Sequence, residues 1–300
     1  MTLEVKQLVK TYGETKVLHG ISLKAASGKA FGLLGGNGAG KTTTIRSILG
    51  LLDYDAGEVQ WEGVPITANR PRIGYLPEER GLYPKEKVSE QLVYFARLEG
   101  MSRAEAIQAM RRWLERLGIE EYEHKKVEQL SKGNQQKVQI ISALLHDPEL
   151  IILDEPFSGL DPVNSELLAS VVKELIDHGK TLIFSSHQMG HVEQFCENIC
   201  ILKRGRMMVS GNLMDIKRSY GRTNLLLRSE RDLLPHLVSY GLPAERISSN
   251  AHEWQLEIAH EEQGNQLLQQ LTRDGINLLK FEIKEPTLHE IFIEKVGEVS

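Results

Sequence analysis

Apolar and polar positions alternate with period two at the start of the chain. Leu3, Val5 and Leu8 precede a turn at Tyr12-Gly13-Glu14, and Val17, Leu18 and Ile21 follow it. Such alternation predicts two strands. A short apolar strand at 30–34 comes next and runs into a glycine-rich loop. From Thr42 the spacing becomes helical, with Ile45, Ile48 and Leu49 on one face. Residues 57–64 read as a hairpin turning at Glu62-Gly63. Between about 88 and 148, Leu92, Phe95 and Ala96, then Ala106, Met110, Trp113, Leu114 and Leu117, recur at helical spacing among charged positions. This predicts an inserted helical subdomain. Strands resume at 150–153 and 181–184, each after a helix, and that alternation implies a parallel sheet. The last strands of this part are expected around 199–202 and 207–209.

Beyond about 219 a new pattern begins. Residues 224–227 and 254–258 read as strands, 231–239 and 262–273 as helices, and 278–283 as a further strand. A final helix is expected after Pro286, with Thr287 as its N-cap and Glu290 three positions on, the reciprocal capping pattern. The chain is thus expected to be an α/β protein with one domain over 1–219 and a small α+β appendage over 220–300.

Composition narrows the class. The 300 residues are 41% hydrophobic and 26% charged, ordinary for a soluble globular protein. A net charge of −5 gives no basic excess that would point to nucleic acid as the main partner. No apolar run approaches the ~20 residues that span a bilayer. The amino terminus lacks the basic start and apolar stretch of a signal peptide, so a cytoplasmic location is expected. The two cysteines, Cys196 and Cys200, make no disulfide framework. Their i,i+4 spacing suggests one face of a helix, shortly after His187 and His191. Two buried apolar thiols is the reading adopted, because zinc sites usually show tighter paired spacing.

Candidate chemistry sits in four short segments. Gly35-Gly36-Asn37-Gly38-Ala39-Gly40-Lys41-Thr42 fits the pattern G-x-x-x-x-G-K-[ST]. Its glycines let backbone N–H groups line a nest for phosphate oxygens at a helix N-terminus. Lys41 brings positive charge to the β- and γ-phosphates, Thr42 a hydroxyl for Mg²⁺, and Thr43 a donor toward the α-phosphate. Asp154 and Glu155 end the apolar run 151–153, where side chains of a parallel sheet emerge into the crevice at its carboxyl edge. Leu130-Ser131-Lys132-Gly133-Asn134 opens a helix, offering Ser131 and the Gly133 N–H at its positive end. Ser185-Ser186-His187 follows the strand at 181–184.

Together and in this order, the four segments resemble the ATP-binding cassette (ABC) ATPases over roughly 1–220. The resemblance implies a P-loop NTPase (RecA-like) core with an antiparallel β subdomain and a helical insertion. It implies that ATP and Mg²⁺ bind, that Asp154 holds the metal, and that Glu155 orients and deprotonates the attacking water. His187 becomes the switch histidine and 156–161 the D-loop. Ser131 and Gly133 belong to the signature motif, acting in trans on nucleotide held by the partner's glycine loop. The signature departs from its common form at Lys132 and Asn134, and the glycine loop at Gly36, where proline is usual. Tyr12 lies where the family places an adenine-stacking aromatic, although an ordinary turn aromatic fits the same position. Glu78 replaces the usual Q-loop glutamine, and its carboxylate can still ligate Mg²⁺. The Pro77-Glu78-Glu79 run and the 285–292 segment resemble a subgroup that includes sodium-extrusion and drug-export ATPases.

The resemblance also implies partners: a homodimer or a paired cassette in the ATP state, and a separate integral-membrane permease. Location would be peripheral on the inner face of the cell membrane. Ribosome-remodelling relatives usually join two cassettes in one chain, and DNA-repair relatives carry a long coiled coil. This chain has one motif set and no long heptad run.

Overall fold

In the computed structural model, residues 1–79, 81–242, 247–250 and 252–297 are described. Two compact units are present, the first Met1–Gly211 and the second starting at Asn212. The division falls before the expected one after Ser219.

The first unit contains two sheets. Strands β1 (Thr2–Tyr12), β2 (Thr15–Ala26), β4 (Ala56–Trp61) and β5 (Val64–Pro65) form an antiparallel sheet ordered β2-β1-β4-β5. The second sheet has the order β10-β9-β3-β8-β7-β6, from β3 (Lys29–Gly35), β6 (Ile73–Leu76), β7 (Leu150–Asp154), β8 (Thr181–Ser185), β9 (Cys196–Lys203) and β10 (Arg206–Asn212). Strands β9, β3, β8, β7 and β6 pair in parallel. Every residue of β7 and β8 is buried, which accounts for unbroken apolar runs there instead of alternation. Leu3, Val5 and Leu8 of β1 share one core with Phe31, Leu33, Ile152 and Ile183, so the antiparallel sheet covers a face of the parallel one.

Helix α1 (Lys41–Ile48) follows β3, and the helical insertion comprises α2 (Val88–Leu98), α3 (Arg103–Arg116) and α4 (Lys132–Leu144). Helix α3 starts at a complete capping box between Ser102 and Glu105 and buries Ala106, Met110 and Leu114. Helices α5 (Pro162–Asp177) and α6 (Met189–Phe195) complete the unit. Cys196 and Cys200 lie on strand β9, which corrects the helix expected for them. Helix α6 ends at Phe195, and a spacing of four is even, so it keeps one face of a strand as well as one face of a helix. Both thiols are buried, and burial pushes the Cys200 thiol up to about 12.

The second unit begins with α7 (Leu213–Ser219), capped by the Asn212 side chain. Then come β11 (Asn224–Ser229), α8 (Leu234–Ser239), β12 (Ile247–Asn250), β13 (Glu253–Glu257), α9 (Glu261–Arg273), β14 (Leu278–Lys284) and α10 (Leu288–Val296). Its sheet is ordered β12-β13-β11-β14, antiparallel at every pair. Order and connectivity are those of the split βαβ arrangement. Leu225, Leu227, Trp254 and Leu256 meet Leu237, Leu267 and Leu271 in its core. Helix α8 starts three residues later than expected, and edge strand β12 had no counterpart in the sequence reading. The predicted Thr287–Glu290 capping box is present.

Candidate functional site

The carboxyl ends of β3, β6, β7 and β8 converge with the start of α1. Leaving β3, the chain makes the loop 35–40 and enters α1 through Gly40, whose φ of 106° belongs to the left-handed region open to glycine. The Lys41 Nζ donates to the Gly35 carbonyl at 2.7 Å and to the Gly36 carbonyl at 3.5 Å. Thr42 and Thr43 are half-buried in the first turn, while Asn37 and Gly38 are exposed. Below the loop, the turn between β9 and β10 is tied in by Gly205, whose N–H donates to the Ala39 carbonyl at 2.9 Å and whose carbonyl accepts from His19 N–H at 2.9 Å. A Cβ at Gly205 would sit 1.8 Å from the Val17 carbonyl oxygen, so no side chain fits there.

Asp154 ends β7 in register with Ser185 of β8. Its Oδ1 accepts from the Ser185 hydroxyl, while Oδ2 is buried without a hydrogen-bond partner. Burial holds this carboxyl above the usual range; the Ser185 hydrogen bond and the Lys41 charge oppose that shift, and the nearby charges of Glu78 and Glu155 add to it. Tyr75 of β6 is pushed up to about 12 by burial first and then by the Asp154 charge.

Glu155 is buried and adopts φ 52°, a strained conformation for a non-glycine residue. Its Oε2 accepts from the His187 N–H at 3.3 Å and from the Ser186 hydroxyl at 3.4 Å. The same oxygen lies 2.8 Å from the Nδ1 of His187, whose ring is 62% exposed. Thus a buried carboxylate is oriented by three groups from the end of one neighbouring strand.

Ser131 is the N-cap of α4 and accepts from the Asn134 N–H at 3.3 Å. Gly133 packs against Asn164 at the start of α5, where an added Cβ would lie 3.3 Å from the amide nitrogen. Among the described residues, no hydrogen bond or ion pair joins Ser131 or Gly133 to the loop at 35–41. Tyr12 closes β1, half-exposed, with the Lys10 ammonium 5.3 Å from its ring centre. Residues that sequence reasoning left without a role are Ser185 and Ser186, although two hydroxyls at the carboxyl end of a buried strand were a usable signal. Gln136 and Gln139 were also missed, and nothing local marked them.

Comparison with known proteins places this arrangement. The family model described as "ABC transporter" matches residues 18–158, and "ATP-binding protein DrrA1-3-like, C-terminal domain" matches 211–296. An uncharacterized ABC transporter ATP-binding protein of Bacillus subtilis, YhaQ, is 51% identical over 298 residues, covering 99% of each chain. The chain belongs to the ABC transporter ATP-binding proteins. Among other ABC relatives, the linearmycin resistance ATP-binding protein LnrL of Bacillus subtilis is 35% identical, with 98% of each chain covered. The Nod factor export ATP-binding protein I of Rhizobium etli is 32% identical, covering 98% of this chain and 93% of its own. A solved ATP-binding subunit of an ABC transporter superposes with a TM-score of 0.68 at 33% identity, covering 73% of this chain and 93% of its own. The α/β P-loop core expected from the sequence is therefore that of an ABC ATP-binding subunit. Among the described residues, no helix is long and apolar enough to cross a membrane.

The ABC site can be tested for magnesium. Among the described residues no three His, Cys, Asp or Glu side chains converge into a metal cage. Magnesium needs none, because it keeps several waters and takes one or two carboxylates together with substrate phosphates. The unpartnered buried Asp154 Oδ2 is an oxygen donor of the required kind, with the Glu78 carboxylate near enough to act on its ionisation. These donors fit the ion.

Proposed function

We propose that this subunit hydrolyses Mg·ATP between two head-to-tail copies, or with a paired cassette, and drives a separate membrane permease for export from the cytoplasm. Its position is then peripheral, on the inner face of the membrane. Of the two cargo classes expected from the sequence, Na⁺ and drugs, the relative named for linearmycin resistance favours the second. The C-terminal unit serves the assembly, through dimer contact or docking near the permease.

The pairing of Glu155 with His187 carries this reading, because a carboxylate fixed by a histidine at 2.8 Å beside an unpartnered aspartate oxygen suits water activation next to a metal. In the mechanism, the backbone N–H groups of 35–41 hold the phosphate oxygens, and Lys41 leaves the Gly35 and Gly36 carbonyls for the β- and γ-phosphates. Asp154, Thr42 and Glu78 would hold Mg²⁺, which when bound offsets phosphate charge. Glu155 accepts the proton of the attacking water. His187 bonds the γ-phosphate while keeping Glu155 aligned. Ser131 and the Gly133 N–H complete the partner's site, and Tyr12 stacks on the adenine.

Glu155→Gln keeps the size of the side chain and removes the base. It should retain ATP binding, lower turnover by ~10²-fold or more, and accumulate as an ATP-bound pair in size-exclusion chromatography with light scattering. Near wild-type turnover would remove Glu155 from the role of base.

A further inference from the structure

Two glutamines of α4 have no part in the mechanism above. Gln136 and Gln139 stand three residues apart, so they share a face of the helix whose first turn carries Gly133 and whose N-cap is Ser131. Both are buried. The Gln136 Nε2 donates to the Pro156 carbonyl at 3.2 Å, one residue beyond Glu155. The Gln139 Nε2 donates twice, to the carbonyls of Pro77 and Glu79, each at 3.1 Å. Those two residues flank Glu78. Carbonyl oxygens only accept, so both amides must turn their nitrogens toward the loops. The Gln139 Oε1 then faces the interior without a donor. An apolar side chain of similar size would fill that space but leave the Pro77 and Glu79 carbonyls without this donor, so the amide acts there through its hydrogen bonds and not by packing alone.

We propose that Gln139 and Gln136 are positioning residues that couple the helix of Ser131 and Gly133 to the two acidic loops of its own chain. Gln139 grips the backbone on both sides of Glu78, and Gln136 holds the backbone just past Glu155. The inference rests on the roles given above to Glu78 and Glu155. A helix moves as one body. A shift of its N-terminal end against a partner's nucleotide is therefore passed through these three hydrogen bonds to the metal side and the water side of the home site. One grip acts on each acid, and the two effects are separable by substitution.

Gln139→Met and Gln136→Met conserve volume and remove the amide, so both should fold, with a modestly lowered melting temperature as the carbonyls lose these donors. Hydrogen exchange in the nucleotide-free full-length chain is followed at 76–79 and 155–158, together with the Mg²⁺ titration of ATPase activity. Gln139→Met should speed exchange at 76–79, leave 155–158 unchanged, and raise the Mg²⁺ half-saturation by roughly tenfold, the lower end for losing an outer-shell partner. Gln136→Met should speed exchange at 155–158 alone and lower kcat by about tenfold with the Mg²⁺ requirement unchanged. Exchange unaltered at both segments, or altered equally at both by either variant, would overturn the proposal. Glu78→Gln run alongside separates this from the metal assignment. If that variant leaves the titration unchanged while Gln139→Met still frees 76–79, the grip stands and the metal role of Glu78 falls. If Glu78→Gln shifts the titration and Gln139→Met moves nothing, the grip falls instead.

Discussion

The two units of this chain treat buried polarity in opposite ways. In the first, the interior contains Asp154 and Glu155 as well as Gln136, Gln139, Ser185 and Ser186. In the second, Ser229 is the polar residue buried whole among those described, its hydroxyl satisfied by the Asn277 carbonyl at 2.9 Å, and the Tyr220 hydroxyl is a further buried polar atom. Local signals there agree with the fold: Asn212 caps α7, Thr287 and Glu290 box α10, and Leu267 and Leu271 of α9 join the core. In the first unit Glu155 has a positive φ and Asp154 an unpartnered oxygen, although positive φ is also found at Gln7, Glu62, Asp147 and Arg204, and unpartnered buried atoms at Ser47, Gln139 and His146. The first unit thus retains charged and amide groups in its interior at a cost, whereas the second packs mainly apolar side chains under local caps that agree with its fold.

The largest effect that would test this contrast is in the second unit. Leu271 is fully buried, and Leu271→Ala should cost about 2–5 kcal/mol. Calorimetry should show the second unit melting earlier while ATP binding persists. Loss of ATP binding in step with that melting would show that the two units are not energetically separate. In the first unit, Lys41→Ala removes a charged donor to phosphate and should weaken ATP binding by about 100-fold, read by fluorescent-nucleotide titration with no change in fold. Ser131→Arg should leave binding by the single chain intact and abolish pairing; a variant that still pairs with ATP would contradict the head-to-tail arrangement.

The smallest effect sharpens the contrast most. Asp154→Asn replaces a buried carboxylate by a neutral group of the same shape. It should raise the stability of the nucleotide-free protein by about 1 kcal/mol while lowering turnover severely. Among the described residues of the second unit no Asp or Glu is buried, so a matching charged-to-neutral change has no such group to act on. Unchanged or reduced stability in a denaturant titration would show that the buried charge carries no cost.

How legible each region was follows from the range of the interactions. The loop at 35–42 and the acids at 154 and 155 could be read because motif and context are contiguous: apolar strand, special residues, helix. The second unit's final helix was legible for the same reason, with Thr287 and Glu290 three residues apart. Cys196 and Cys200 were misplaced because neither proline nor glycine marks the junction of α6 with β9, and a spacing of four fits both elements. Strand β12 escaped because it is a polar edge strand with one apolar residue, Ile247. Gln136 and Gln139 escaped because their partners lie 20, 60 and 62 residues away. Ser185 reaches Asp154 across 31 residues, visible only once β7 and β8 are in register.

The order of strands has a consequence for synthesis. Strand β3, which launches the phosphate loop, is flanked by β8 and β9, and the loop itself rests on Gly205. A ribosome that has released the first 150 residues has made all of the glycine loop and neither neighbour of the strand that holds it. Emission proceeds from the N-terminus at ~5–20 residues per second, so the loop waits on the order of ten seconds for its support. This strand order predicts that a nascent chain gains its nucleotide pocket only after residue 205 has cleared the exit tunnel. Stalled chains ending before and after that point, probed with a photoreactive nucleotide, would locate the moment at which the pocket forms.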